Sequence, residues 1–227
     1  MTRRSALDIE TLSTPEHSGY SIVVPNFAFV TIPEGDEELE WMYVKCPIQD
    51  QLDAGLKLST HGMDFWYNLC AKEYQHAHKE VLDCNSLSTV QIYTNAKYAN
   101  TNTQNLPLSI RQFVYGNSTG EQLEFDNAPE VFGNGCNFDC SILQQNILTM
   151  YGTGELWHYS SPQNARTLKN RINPDERERM DKYVSTKLEE FCTSLPPEVG
   201  TMQLHHPLYD AAREALQMKC CLDILTF

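Results

Sequence analysis

The stretch YSIVVPNFAFVTIPEGDEELEWMYVKCP, from Tyr20 to Pro47, narrows the fold more than any other. Phe27, Phe29 and Thr31 alternate with Ala28, Val30 and Ile32, PEGDEE supplies turn chemistry, and a second apolar run follows from Leu39 to Cys46. Alternation at period two, interrupted by Pro, Gly and acidic residues, predicts a β-hairpin. Its second strand is apolar on both faces, Trp41 and Tyr43 against Met42, Val44 and Cys46. That pattern calls for burial on both sides or at an interface.

After the hairpin the period lengthens. Trp66, Cys70, Tyr74, Ala77 and Val81 recur every three or four residues, which predicts one helix over 63–84. On such a helix His76 and His78 project about 200° apart and cannot share a metal ion. Cys70 on the apolar face behaves as a small hydrophobe. The segment CAKEYQHAHKEVLDC therefore reads as an amphipathic helix with a solvated or partner-facing histidine pair, and a metal site there would require a break near Gln75.

The last quarter is also helical. Asn173 as N-cap, Pro174 at the first position and Asp175 and Glu176 in the first turn satisfy or complement exposed N–H groups. Met180, Val184, Leu188, Phe191 and Leu195 form one apolar stripe, stopped by Pro196 and Pro197. A final helix is expected from Pro207, with Tyr209, Ala212, Leu216 and Cys220 on a shared face. Between these helical regions, residues 85–160 read as rich in strands and loops. TVQIYT and LSIRQFVY are strand candidates around the polar tract NAKYANTNTQNLP, while SILQQNILTMYG fits a helix ending at Gly152 and a buried strand about equally.

The resulting class is α+β, a central antiparallel sheet or β-sandwich with flanking helices, in one domain spanning 1–227. Its parts are an N-terminal segment and hairpin (1–62), a helix (63–84), a β-rich middle (85–160) and C-terminal helices (172–222). At 227 residues the chain can bury a core without metal or disulfide staples.

Charge and composition argue against several partners. With 30 acidic and 17 basic residues the formal charge is -13, and the basic residues are scattered apart from Arg3–Arg4 and the stretch Arg166 to Arg179. Nucleic acid is not an expected partner, because phosphate neutralisation needs a clustered basic surface. No apolar run reaches the roughly 18 residues of a membrane span, and no apolar segment follows Arg3 and Arg4, so no membrane partner and a cytoplasmic location are expected. The eight cysteines are then expected as reduced thiols, and the sequon at Asn117 carries no meaning.

The chemical candidates are few. Cys136 and Cys140 form a CxxxC in a Gly/Asn loop and are the candidate metal ligands, with His158, His205 or His206 as further donors. Two thiols bordering a turn, or a local disulfide, explain the pair equally well, and no metal or cofactor is assigned. His205, His206 and Asp210 are the catalytic candidates, a base with an orienting carboxylate. The plainer account is a histidine pair flanking a helix start, with Asp210 complementing the dipole. No GxSxG elbow accompanies them. His61–Gly62 reads as a loop or cap, Gly152 and Gly154 lack the rest of a phosphate loop, and EGDEELE reads as a solvated surface.

Two short fragments suggest a relationship. Lys72-Glu73-Tyr74 is followed by histidine, and Asn95-Ala96-Lys97 by a cysteine-bearing helix near the end, all after a polar N-terminal segment and a hairpin. This order resembles the polyhedrins of cypoviruses, which crystallise inside the infected cell and encase virions. The C-terminal stretch YDAAREALQMKCCLDILTF departs from the pattern. The resemblance implies a non-catalytic, self-assembling structural protein of the viral occlusion-body type, whose partner is itself in a homo-oligomer or lattice. Among its 11 tyrosines, Tyr43, Tyr98, Tyr115 and Tyr209 are the expected assembly contacts. The alternatives are a small intracellular enzyme with a His/Asp or Cys/His site and a partner-binding adaptor domain.

Overall fold

One sheet of six strands organises the protein in a computed structural model that describes residues 2–35, 37–123 and 127–225. Strand β1 (Arg4–Ile9) leads through the single turn α1 (Pro15–Ser18) to β2 (Asn26–Thr31) and β3 (Trp41–Lys45). Helices α2 (Ile48–Asp53) and α3 (Thr60–Asp64) follow, then a π-helical turn over Phe65–Cys70, α4 (Ala71–Glu73) and α5 (Gln75–Asn85). The middle contains β4 (Gln91–Thr94), α6 (Leu106–Tyr115), β5 (Glu130–Gly133) and α7 (Cys136–Tyr151). After these come β6 (Pro162–Asn164), α8 (Ala165–Lys169), α9 (Pro174–Ser194) and α10 (Pro207–Leu225).

The predicted α+β class with flanking helices is the one observed, as a single mixed sheet rather than an antiparallel sheet or sandwich. Its order is β4-β3-β2-β1-β5-β6. The β4 to β1 half is antiparallel, and β1, β5 and β6 are parallel. The long excursion between β1 and β5, through β2, β3, β4 and the helices up to α6, returns the chain to the same end of the sheet, which is what a parallel neighbour requires. The β2–β3 hairpin forms as predicted, with Phe27 opposite Val44 and Phe29 opposite Met42. Asp36, in its connection, lies outside the described residues.

Both sheet faces are covered. Leu7, Ile9, Phe27, Phe29, Met42 and Val44 pack under α6 and α7. Ala6, Ala28, Val30, Trp41 and Tyr43 pack under α9 and α10. This explains why β3 is apolar on both sides: every one of its residues is buried. Alanines on both partners (Ala6 and Ala28 against Ala211, Ala212 and Ala215) remove side-chain bulk, so α10 lies close across β1 and β2.

Four sequence expectations are corrected. LSIRQFVY is helical, within α6: Asn105 caps its start by accepting from Leu108 N, Pro107 sits in the first turn, and Gly116 ends it in the left-handed conformation. Leu106, Ile110, Phe113 and Val114 are its buried stripe, at spacing four, seven and eight. SILQQNILTMYG is helical too, ending at Gly152 with φ 71°, so residues 85–160 are largely helix. The expected single helix over 63–84 is interrupted at Tyr74, whose φ of -131° and ψ of 54° leave helical space and turn its ring toward His205. Finally, the supposedly polar N-terminal segment contains the central strand β1. The C-terminal predictions hold: α9 carries a complete capping box between Asn173 and Glu176 and buries Met180, Val184, Leu188 and Phe191, and α10 starts at Pro207. Among the described residues, no helix is long and apolar enough to cross a membrane.

Candidate functional site

Strand β1 places two carboxylates on one face. Leu7 and Ile9 alternate into the α6/α7 layer, so Ala6, Asp8 and Glu10 share the opposite face, toward α10. The ladder continues past the strand through Glu10 N, which donates to Asn26 O at 3.0 Å. The parallel neighbour β5 ends at the same level, with Gly133 opposite Leu7. From there Gly135 begins α7, whose first turn carries Asp139. Its Oδ2 accepts from Gly135 N at 3.2 Å. A Cβ on Gly133 would lie 2.7 Å from that oxygen, so Asp139 can cross the end of β5 only over glycine.

The first turn of α10 supplies the third side of the site. His205 N donates to Asp210 Oδ2 at 2.8 Å, and Asp210 Oδ1 is 2.8 Å from Arg213 Nη2. His205 itself has φ 65°, an uncommon conformation for a non-glycine residue. Its ring lies edge-on to Phe65 and Tyr74, with centroids 5.3 and 4.6 Å away. The break at Tyr74 and the π turn at Phe65 thus place two aromatic rings beside one histidine. Ligand atoms of Glu10, His205 and Asp210 fall within 4.8 Å of one another, which among the described residues is the one such cluster of three or more.

Electrostatics separate this spot from an ordinary acidic surface. Burial, reinforced by Asp210 and the other carboxylates around it, pushes Asp8 and Glu10 well above the usual carboxylate range. Among the described residues neither has a cationic partner. Burial raises Asp139 to about 7, against the pull of the Gly135 N–H and Arg166. Asp210 is also raised by burial, although Arg213 and the His205 N–H oppose it. Burial lowers His205, outweighing the attraction of Asp210, so its ring is neutral at physiological pH.

Of the three catalytic candidates, His205 and Asp210 meet and His206 turns away. Leu208 N donates to His206 Nδ1 at 3.3 Å, which puts the ring proton on Nε2, 2.9 Å from Val199 O. Burial pulls His206 down to about 4. Its ring rests 4.8 Å from that of Tyr43. Tyr43 O–H in turn donates to Glu80 Oε2 at 2.9 Å, and the buried Lys45 ammonium pairs with the same carboxylate. His206 therefore belongs to a packed polar network beneath the loop that carries His205. Tyr43, expected as an assembly contact, is fully buried there; Tyr98 is exposed, and Tyr115 and Tyr209 are half-buried.

Cys136 and Cys140 lie on the first turn of α7 rather than in a loop and join no metal cluster among the described residues. Cys140 is buried beside Val131 O, and all eight cysteines are free. His158 contacts Ser160 at the surface. His76 is exposed and His78 packs against Tyr67, so the helix break does not bring them to one ion.

Asp8, Glu10 and Asp139 escaped the sequence reading. The available signal was ALDIE, in which two acids share one face of a short strand whose other face is Leu and Ile. No protein-family model and no curated protein matches the chain, so the likeness to polyhedrins rests on element order and two tripeptides alone.

Proposed function

We propose that this protein is a divalent-cation-dependent hydrolase of phosphodiester bonds in nucleic-acid strands, with Asp8, Glu10, Asp139 and Asp210 holding the cations and His205 as general base. The observation that carries this reading is the convergence of Glu10, His205 and Asp210 within 4.8 Å, beside the carboxylates of Asp8 and Asp139. Glu10 and Asp139 are buried and Asp8 and Asp210 half-buried, and the four can all ionise only if positive charge lies among them. Oxygen donors with a single imidazole suit hard ions such as Mg2+ and Mn2+, which keep open positions for substrate phosphate. Bound there, such ions supply Lewis-acid polarisation of a phosphoryl oxygen and a coordinated water of lowered pKa.

The chain's own groups complete the chemistry. Neutral His205 is placed to take a proton from the attacking water as its oxygen adds to phosphorus. The ester bond then breaks, and the departing oxygen takes up a proton, giving a phosphate monoester and a free hydroxyl. Arg166, within electrostatic reach of Asp139, and Lys169 offer positive charge at the rim. The rings of Phe65 and Tyr74 stand where bases next to the scissile phosphate could stack. This departs from the expectation, drawn from a net charge of -13 and scattered basic residues, that nucleic acid is not a partner: bound cations would have to replace the Lys and Arg contacts that the chain lacks. This reading takes His205 and Asp210 from the enzyme alternative and replaces His206 with three acids from elsewhere in the chain.

The test is cleavage of end-labelled single- and double-stranded oligonucleotides with Mg2+ or Mn2+. Product should appear only with cation, vanish with EDTA or in Asp8→Asn, and fall by about 100-fold or more in His205→Ala. Cleavage unaffected by Asp8→Asn, or none on any DNA or RNA strand with either ion, overturns the proposal.

A further inference from the structure

Glu214 lies one turn beyond Asp210 on α10 and is only 7% exposed. Its Oε2 accepts from Lys169 Nζ at 2.7 Å. The same ammonium reaches Asn134 Oδ1 at 3.0 Å and Gln217 Oε1 at 3.5 Å. Asn134 stands between Gly133 and Gly135, so the Lys169–Glu214 pair abuts the segment that delivers Asp139. The other oxygen, Oε1, is buried and has no hydrogen-bond partner among the described residues. Glu214 also acts electrostatically on both Asp8 and Asp139.

A buried carboxylate oxygen ordinarily accepts a hydrogen bond. With a cation bound, the acids within electrostatic reach of Glu214 are ionised and only accept, and Lys169 is already engaged on Oε2. The missing donor must therefore arrive with whatever occupies the site, and water coordinated to a divalent cation is a strong donor for an outer carboxylate.

We propose that Glu214 is a positioning residue for the cation held by Asp8 and Asp139, its Oε1 accepting a hydrogen bond from a water in that ion's coordination shell. This rests on the cation-binding reading above. Lys169 engages the far oxygen, Oε2, and leaves Oε1 to the site.

Calorimetric titration of the full chain with Mn2+ alone tests the assignment without reference to activity. Glu214→Gln keeps the shape and the contact with Lys169 but replaces the accepting carboxylate, and should weaken Mn2+ binding by about 10- to 100-fold. Lys169→Met removes a positive charge and leaves the carboxylate, so it should bind Mn2+ at least as tightly as the parent. Should Glu214→Gln fail to fold, Glu214→Asp, which withdraws the oxygen by one methylene, carries the same expected loss. Parent affinity in the Glu214 variant, or equal losses in the Glu214 and Lys169 variants, overturns the positioning role. A parent protein that binds no Mn2+ overturns the cation site itself, a separate result.

Discussion

Asp139 provides a direct test of whether the carboxylate cluster is built for a cation. Its carboxyl is raised from 3.8 to about 7, chiefly by burial. A difference of roughly three pH units is worth about 4 kcal/mol at 1.36 kcal/mol per unit. Because the folded-state value lies above the unfolded one, the native protein holds a proton that the unfolded chain has released. Stability of the cation-free protein must then fall as pH rises from about 4 to about 7, and stay reduced above that. Asp139→Asn removes the titration while keeping an oxygen for the Gly135 N–H. It forfeits a favourable charge at the start of α7, worth about 0.3–1 kcal/mol. Urea denaturation in EDTA should therefore find the variant more stable than the parent by about 3 kcal/mol at pH 8, with little difference at pH 4. With Mg2+ at 1,000 times Kd the order should reverse, since only the parent gains the full binding free energy, about 4.1 kcal/mol at that concentration. A variant less stable than the parent at pH 8 in EDTA, or a difference that does not change with pH, refutes this reasoning.

Two further substitutions probe the supports around the site. Lys45→Met leaves the Glu80 carboxylate buried without its ammonium, which should cost about 3–5 kcal/mol in urea denaturation; a loss under 1 kcal/mol would mean that Glu80 does not depend on the ammonium. Gly133→Ala would set a Cβ 2.7 Å from Asp139 Oδ2 and 3.1 Å from its Cβ, costing about 1–3 kcal/mol in thermal unfolding and weakening Mn2+ binding. Unchanged Mn2+ affinity there would show that Asp139 is free to shift.

The sequence was most legible where local chemistry and tertiary demand agree. The β2–β3 hairpin has apolar alternation on strands buried in the sheet centre, and α9 has a capping box and a single stripe, so both are visible in short windows. LSIRQFVY misled because Ile, Phe, Val and Tyr favour strands, whereas its helical state is set by Asn105 before it and Gly116 after it. Strand β1 was hidden because the face that should be apolar carries Asp8 and Glu10, so its alternation of apolar and polar residues covers only one side of the strand. His205 and Asp210 could be nominated as neighbours in sequence, but Glu10 lies some 200 positions away and joins them only through the packing of α10 across β1. His206 looked equivalent to His205, and only the turn at φ 65° sends the two rings in opposite directions.

The position of β1 at the centre of the sheet also dictates when the site can exist. Asp8 and Glu10 precede the other residues of the cluster along the chain, and β1 can pair with β2 as soon as both have emerged. Its second neighbour, β5, follows more than a hundred residues later, and His205, Asp210 and α10 later still. Until α10 lies down over Ala6 and Ala28, the two acids stay hydrated and separated from their imidazole. Assembly of the cluster is thus coupled to the most non-local contacts of the fold, and a nascent chain cannot bring these carboxylates to His205 before residues 205–214 have docked.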